Sequence, residues 1–311
     1  MKKTLILFVG AAITMLALVK CAKQTSNQDE VFADLSQKAV NADGSAAAPP
    51  ENAAACVPVY WDLVVLSPGG TSFVYKISGT PSCAPVSVSV LGQVKCAGVP
   101  VTFMTGLSYD PASGTFYGTT GPAGFPANSL IKFTAATIAN ASCTPLVNTC
   151  GITLNVSDIE RNQVTGVYYA INRGTTAVNN RVVTINVGTA QVGCLPCTIS
   201  LNYRPRGLTF DCSGTMWLMS MAGANGTLLK MTASGCVTTV CPYPGPVTPP
   251  TGLAAPEMGL HFDCCCNLFV TGNYDPIGPA PFLTNGIPAC FGPALYASIA
   301  GAIRPTVDFA R

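Results

Sequence analysis

The sequence predicts an all-β fold, a β-propeller of five four-stranded blades with six as the alternative, on three observations. The composition favours strands and turns, a unit of about 50 residues repeats, and each unit holds two strand-turn-strand elements. Hydrophobic residues make up 49% of the 311-residue chain and charged residues only 10%, with 30 glycines and 25 prolines. A chain this apolar folds, and Gly- and Pro-rich turns between β-favouring segments argue against a helical core.

The first element of the repeat is an apolar strand ending in Asp, a short turn, then an apolar or aromatic strand. Its copies begin at Gly106, Val156, Gly207 and Gly259 and carry Asp110, Asp158, Asp211 and Asp263, spaced 48, 53 and 52 residues apart. The second element recurs from Phe73, Leu130, Val182, Leu228 and Leu295. Five copies of it imply five blades. Only Trp61–Ser67 precedes the first copy, so Val57–Ser67 is expected to close the ring against the C-terminal strands, removing the exposed sheet edges. In Asp110-Pro-Ala-Ser-Gly114 and Asp211-Cys-Ser-Gly214 the carboxylate suits backbone N–H groups of the turn and Gly supplies positive φ. The recurring aspartates therefore read as structural rather than as a metal or catalytic ring.

These Asp-x-x-Gly turns and the strands that follow resemble secreted bacterial propellers with NHL-like or YVTN-like repeats. The resemblance covers residues 57–311 and implies a fold, not a function, because propellers host binding, scaffolding and unrelated chemistries.

Upstream, Lys2 and Lys3 precede an apolar run, Leu5–Val19, too short for a comfortable membrane span, and Cys21 follows. This resembles a bacterial lipoprotein signal, which implies lipidation of Cys21; Lys20 stands where that signal carries a small residue, and the alternative is an uncleaved anchor. The expected organisation is 1–21 signal or anchor, 22–55 flexible tether and 56–311 propeller. Both readings export the domain to the cell envelope, lipid-anchored in the outer membrane or in the periplasm. Fourteen cysteines remain beyond Cys21, and in an exported chain they read as disulfides rather than zinc ligands. Cys143 and Cys150 cannot bond within one straight strand, since seven residues span roughly 23 Å and a disulfide needs Cα atoms within about 7 Å. Their partners are expected on other strands or blades, and a link between the turns holding Cys212 and Cys264–Cys266 is one such option.

The formal net charge of +2 offers no field for nucleic acid. No GxSxG element is present, and no metal or cofactor is expected. His261, the single histidine, is expected to be packed or to line the channel. Glu160 and Glu257 are the glutamates of the propeller region; Glu160 is read inside a turn, and Glu257 is the weak catalytic candidate. Longer connections between second and third strands, together with the links between blades, make one ring face rich in loops. That face carries Phe125, Arg173, Tyr203, Arg204, Arg206, Asn273, Tyr274 and Phe282, side chains suited to a polysaccharide or an envelope protein. The expected function is thus a membrane-tethered binding or scaffold module. The alternatives are a glycan-acting hydrolase or lyase and an inert surface protein. Polar residues converging at the channel favour the enzyme; an apolar plug favours the other two.

Overall fold

The computed structural model describes residues 59–66, 70–78, 87–222, 225–246, 260–262, 268–272, 282–285, 295–298 and 306–310. They belong to one compact unit, Val57–Arg311, and are almost wholly β. The first sheet unit holds β1 (Val59–Leu66), β2 (Thr71–Ser78) and β3 (Ser87–Gln93), followed by the small hairpin of β4 (Lys95–Cys96) and β5 (Val99–Pro100). The second comprises β6 (Thr102–Asp110), β7 (Thr115–Phe125), β8 (Ser129–Thr134) and β9 (Ser142–Pro145). After the two-residue β10 (Val147–Asn148), the third comprises β11 (Val156–Arg161), β12 (Tyr168–Asn172), β13 (Arg181–Asn186) and β14 (Gln191–Cys194). The fourth comprises β15 (Pro205–Phe210), β16 (Met216–Ala222), β17 (Asn225–Met231) and β18 (Val237–Pro246). The fifth comprises β19 (Leu260–Phe262), β20 (Leu268–Gly272), β21 (Phe282–Asn285) and β22 (Leu295–Ser298).

The last strand, β23 (Thr306–Ala310), pairs antiparallel with β1, with Trp61 opposite Ala310 and Leu63 opposite Asp308. The C-terminal strand thus supplies the missing first strand of the first unit, the closure expected for Val57–Ser67. Each first strand also packs on the next: β6 on β11, β11 on β15, β15 on β19, β19 on β23, and β23 back on β6. The described strands therefore form a closed circuit of five inner strands, the architecture of a propeller. β10 lies parallel to β14 and covers part of the outer edge of the third unit.

Alternation along the inner strands makes the core. Leu107, Ile159 and Leu208 face the space between neighbouring units and are fully or almost fully buried. Leu107 packs with Leu63 and Val74 of the first unit and with Phe116 and Phe133 of its own. Ile159 packs with Tyr117 and Leu130 of the preceding unit, and Leu208 with Ile171 and Val182. The hydrophobic core is therefore a set of slabs between adjacent sheets. Burying one such side chain contributes about 1.5–3 kcal/mol.

Disulfides reinforce the same junctions. Cys96 bonds Cys143 in β9, Cys150 bonds Cys194 in β14, and Cys197 bonds Cys236 just before β18, with Cα separations of 5.9, 5.9 and 5.0 Å. Each joins the segment leaving one unit to the outer strand of the next. Cys143 and Cys150 accordingly have partners elsewhere, as strand length requires. Cys212, in the turn after β15, is disulfide-bonded as well.

The repeat needs one correction. The pairing aligns Tyr117, Tyr169 and Trp217 opposite Ser108, Glu160 and Thr209. On that register the turn residue of the third unit is Asn162, not Asp158, and the spacings from Asp110 to Asp263 become 52, 49 and 52 residues. Asn162 does the turn's work: its Oδ1 accepts from the N–H groups of Val164 (2.9 Å) and Thr165 (3.2 Å). Asp211 likewise accepts from Ser213 and Thr215, and Asp110 from Ala112. Glu160 consequently lies in strand β11 and not in a turn. Asp158 and Asn162 are four positions apart, a shift invisible without the pairing because Asp suits both places.

Candidate functional site

Asp158 and Glu160 sit two residues apart on β11, on the inner circuit. Asp158 adopts φ 58°, in the left-handed region that is uncommon for residues other than Gly and that Asp enters more readily than most. Its Oδ2 accepts the N–H of Leu208 on the next inner strand, which clamps the third unit to the fourth. The strand comes so close to β6 here that a Cβ on Gly106 would lie 2.3 Å from the Asp158 Cα, so Gly106 must be Gly.

Glu160 is buried with its carboxyl Oε1 3.6 Å from Nδ1 of His261. β11 and β19 are not neighbours in the circuit; β15 stands between them. A side-chain contact that skips a strand places the pair at the axis of the ring. From the other side Ser108 of β6 hydrogen-bonds the carboxyl, and its Oγ accepts the N–H of Arg161 at 3.1 Å. Glu160 therefore touches groups from the second, third and fifth units. Ser108, Glu160, Thr209 and His261 hold the same register position on four inner strands, and each is at most 5% exposed. Ser108, Glu160 and Thr209 alternate with Leu107, Ile159 and Leu208, which pack on the preceding unit, and so occupy the opposite face of their strands.

Electrostatics single out Glu160. Burial raises its pKa well above the ordinary carboxylate value, while the Ser108 hydroxyl, the Arg161 backbone and the Arg161 guanidinium pull it back in part. Arg161 stands at the exposed edge of the site, 3.9 Å from Asp110 and bonded to Gln163 at 2.6 Å. Beside it Tyr117 and Tyr168 meet edge to face at 4.9 Å. Burial also raises the Tyr168 pKa, with Tyr117 and Asp110 adding to the effect. A buried carboxyl of raised pKa against an imidazole can accept or deliver a proton, which is the requirement for general acid–base chemistry. Among the described residues no group of three or more His, Cys, Asp and Glu side chains is arranged to hold a metal ion.

The residues expected to bind a partner lie at the opposite end of the inner strands. Phe125 ends β7, Arg173 follows β12, Tyr203 and Arg204 precede β15, and Arg206 is its second residue. Phe125 is 47% exposed and Arg204 is exposed, whereas Arg173, Tyr203 and Arg206 are half-buried. β7 extends through Phe125, so the loop expected from Thr119 narrows to a turn at 126–128. Phe282 opens β21, and Asn273, Tyr274, Glu257 and Cys21 lie outside the described residues. His261 takes the axial position expected of it. Glu160 was missed as a site residue because the Asp158 alignment placed it in a turn; the alternation Asp158-Ile159-Glu160-Arg161 was the available signal.

No family model matches the chain, and no curated protein matches it. Solved structures match it at low identity. A streptogramin B lyase matches at 13% identity and TM-score 0.38, over 76% of this chain, which spans 58% of the lyase's length. A structure described as a gluconolactonase matches at 10% identity and TM-score 0.44, over 79% of each chain. An α-L-arabinofuranosidase from Clostridium thermocellum matches at 13% identity and TM-score 0.46, over 81% of this chain and 95% of that one. The propeller assignment rests on the strand pairing and the closed inner circuit.

Proposed function

We propose that the protein is an exported propeller that takes a polar, glycan-class ligand at its axis and acts on it by proton transfer, as a hydrolase or lyase. The observation that supports this is the buried Glu160–His261 contact across the ring. Two neighbouring carboxylates in different surroundings add to it. Glu160 faces an imidazole and a hydroxyl, whereas Asp158 accepts a backbone N–H. Such a pair divides into acid and base roles. Polar convergence at the axis was the feature expected to favour an enzyme over a passive module. Among the described residues Glu160 is the acid–base candidate.

The test is an assay of residues 56–311, produced in an oxidising compartment, against an oligosaccharide panel. New reducing ends report hydrolysis, and new conjugated double bonds report elimination. Glu160→Gln should lower any activity by about 100-fold or more, and Glu257→Gln should leave it intact. Full activity in Glu160→Gln rejects the reading.

The half-exposed Phe125 and the exposed Arg204 support a second reading, a binding module whose far face holds a polysaccharide or an envelope protein. Binding without turnover, abolished by Phe125→Ala and Arg204→Ala together, would select it. Export accords with the disulfides, which persist in oxidising compartments. Membrane attachment through Cys21 is part of the proposal, and loss of lipid labelling in Cys21→Ser would support it.

A further inference from the structure

β15 runs between the strands that carry Glu160 and His261, and Thr209 is its residue at their register position. Thr209 is wholly buried, and its Oγ1 has no hydrogen-bond partner among the described residues. Leu208 and Phe210 on either side pack toward the third unit, so alternation puts Thr209 on the opposite face of β15, the one that meets β19 and its His261. A buried hydroxyl left unsatisfied costs about as much as a hydrogen bond is worth, and Val fills the same volume without that cost. The position nevertheless carries the hydroxyl.

We infer that Thr209 is a ligand-contacting residue. Its Oγ1, with the Glu160 carboxyl and the His261 imidazole, holds one O–H group at the axis, either a water or a hydroxyl of the bound sugar. Three polar partners from three different strands meet what a buried water or a sugar hydroxyl needs. This assignment deepens the acid–base reading and rests on it for its catalytic meaning. A held water would serve hydrolysis, and a held sugar hydroxyl would set specificity.

The experiment compares wild type, Thr209→Val and Thr209→Ser by high-resolution crystal structures, with and without a galactose soak. An ordered oxygen about 2.8 Å from Thr209 Oγ1 is expected in wild type and Thr209→Ser. It should be absent from Thr209→Val. An oxygen present before the soak and unmoved by it identifies water; one that the sugar ring supplies identifies a substrate hydroxyl. With an active substrate in hand, Thr209→Val should lower kcat/KM by roughly tenfold while Thr209→Ser retains it. An empty position in every structure, or an oxygen that stays in place in Thr209→Val, overturns the inference. An ordered oxygen at Thr209 in a wild-type protein that turns over none of the oligosaccharides would reject the acid–base reading and leave the Thr209 site standing.

Discussion

Oε1 of Glu160 lies 3.6 Å from Nδ1 of His261 although their strands are separated by a third. The contact ties opposite sectors of the ring at its axis and keeps a carboxyl where solvation is poor. Burial raises its pKa, so the folded state holds that proton to higher pH than the unfolded chain does. The contribution to stability is complete below the unfolded pKa and is lost as pH rises through the folded one. Glu160→Gln cannot ionise. Its melting temperature should gain on wild type as pH rises above about 5, and the gap should close toward pH 4. Melting curves across that range decide the matter; a pH-independent gap would mean that burial does not govern this group.

The turn of the third unit uses an amide for a reason visible in the next one. Asn162 Nδ2 donates to the carbonyl of Gly214 at 3.1 Å, bridging two turns, while its Oδ1 serves its own turn. Asn162→Asp keeps the second role and sets an acceptor against an acceptor in the first. A loss of about 1–3 kcal/mol is expected in denaturant unfolding.

Asp211 is the converse case. Burial alone would raise its pKa, but the Ser213 hydroxyl, the Trp217 indole and the N–H groups of Thr215 and Ser213 hold it below the usual value. Its stabilisation is present above the unfolded pKa and fades as pH falls through the folded one. Asp211→Ala should therefore destabilise the protein at pH 7 and have little effect at pH 2–3. Equal losses at both pH values would contradict this account.

The inter-unit disulfides should carry much of the kinetic and thermodynamic stability. They close loops with sequence separations of 47, 44 and 39 residues, each worth about 4 kcal/mol in the loop-entropy model. Replacing Cys150 and Cys194 together by Ser should lower the denaturation midpoint markedly. A midpoint indifferent to this pair would show that the core slabs alone hold the junction.

Leu107→Ala should cost about 2–5 kcal/mol, since the side chain is fully buried between the first and second units. Because the cavity opens at one junction, disulfide pairing at the others should be unchanged by peptide mapping.

The repeat of strand, turn and strand was legible in the chain because blades obey local rules: alternating apolar residues, Gly and Asp in turns, and cysteines at matching places. Closure by the C-terminal strand was legible too, from the shortened first unit. The site was not. A period-2 strand shows that Ser108, Glu160, Thr209 and His261 avoid the apolar face, but not that strands 50 to 150 residues apart converge on one axis. Nor can a sequence distinguish Asp158 bonded to Leu208 from Asp158 in a turn, since one carboxylate satisfies either set of donors. Only the strand register decided that Glu160 sits in a strand and meets His261, because burial and the loss of water that raises its pKa arise when the ring closes.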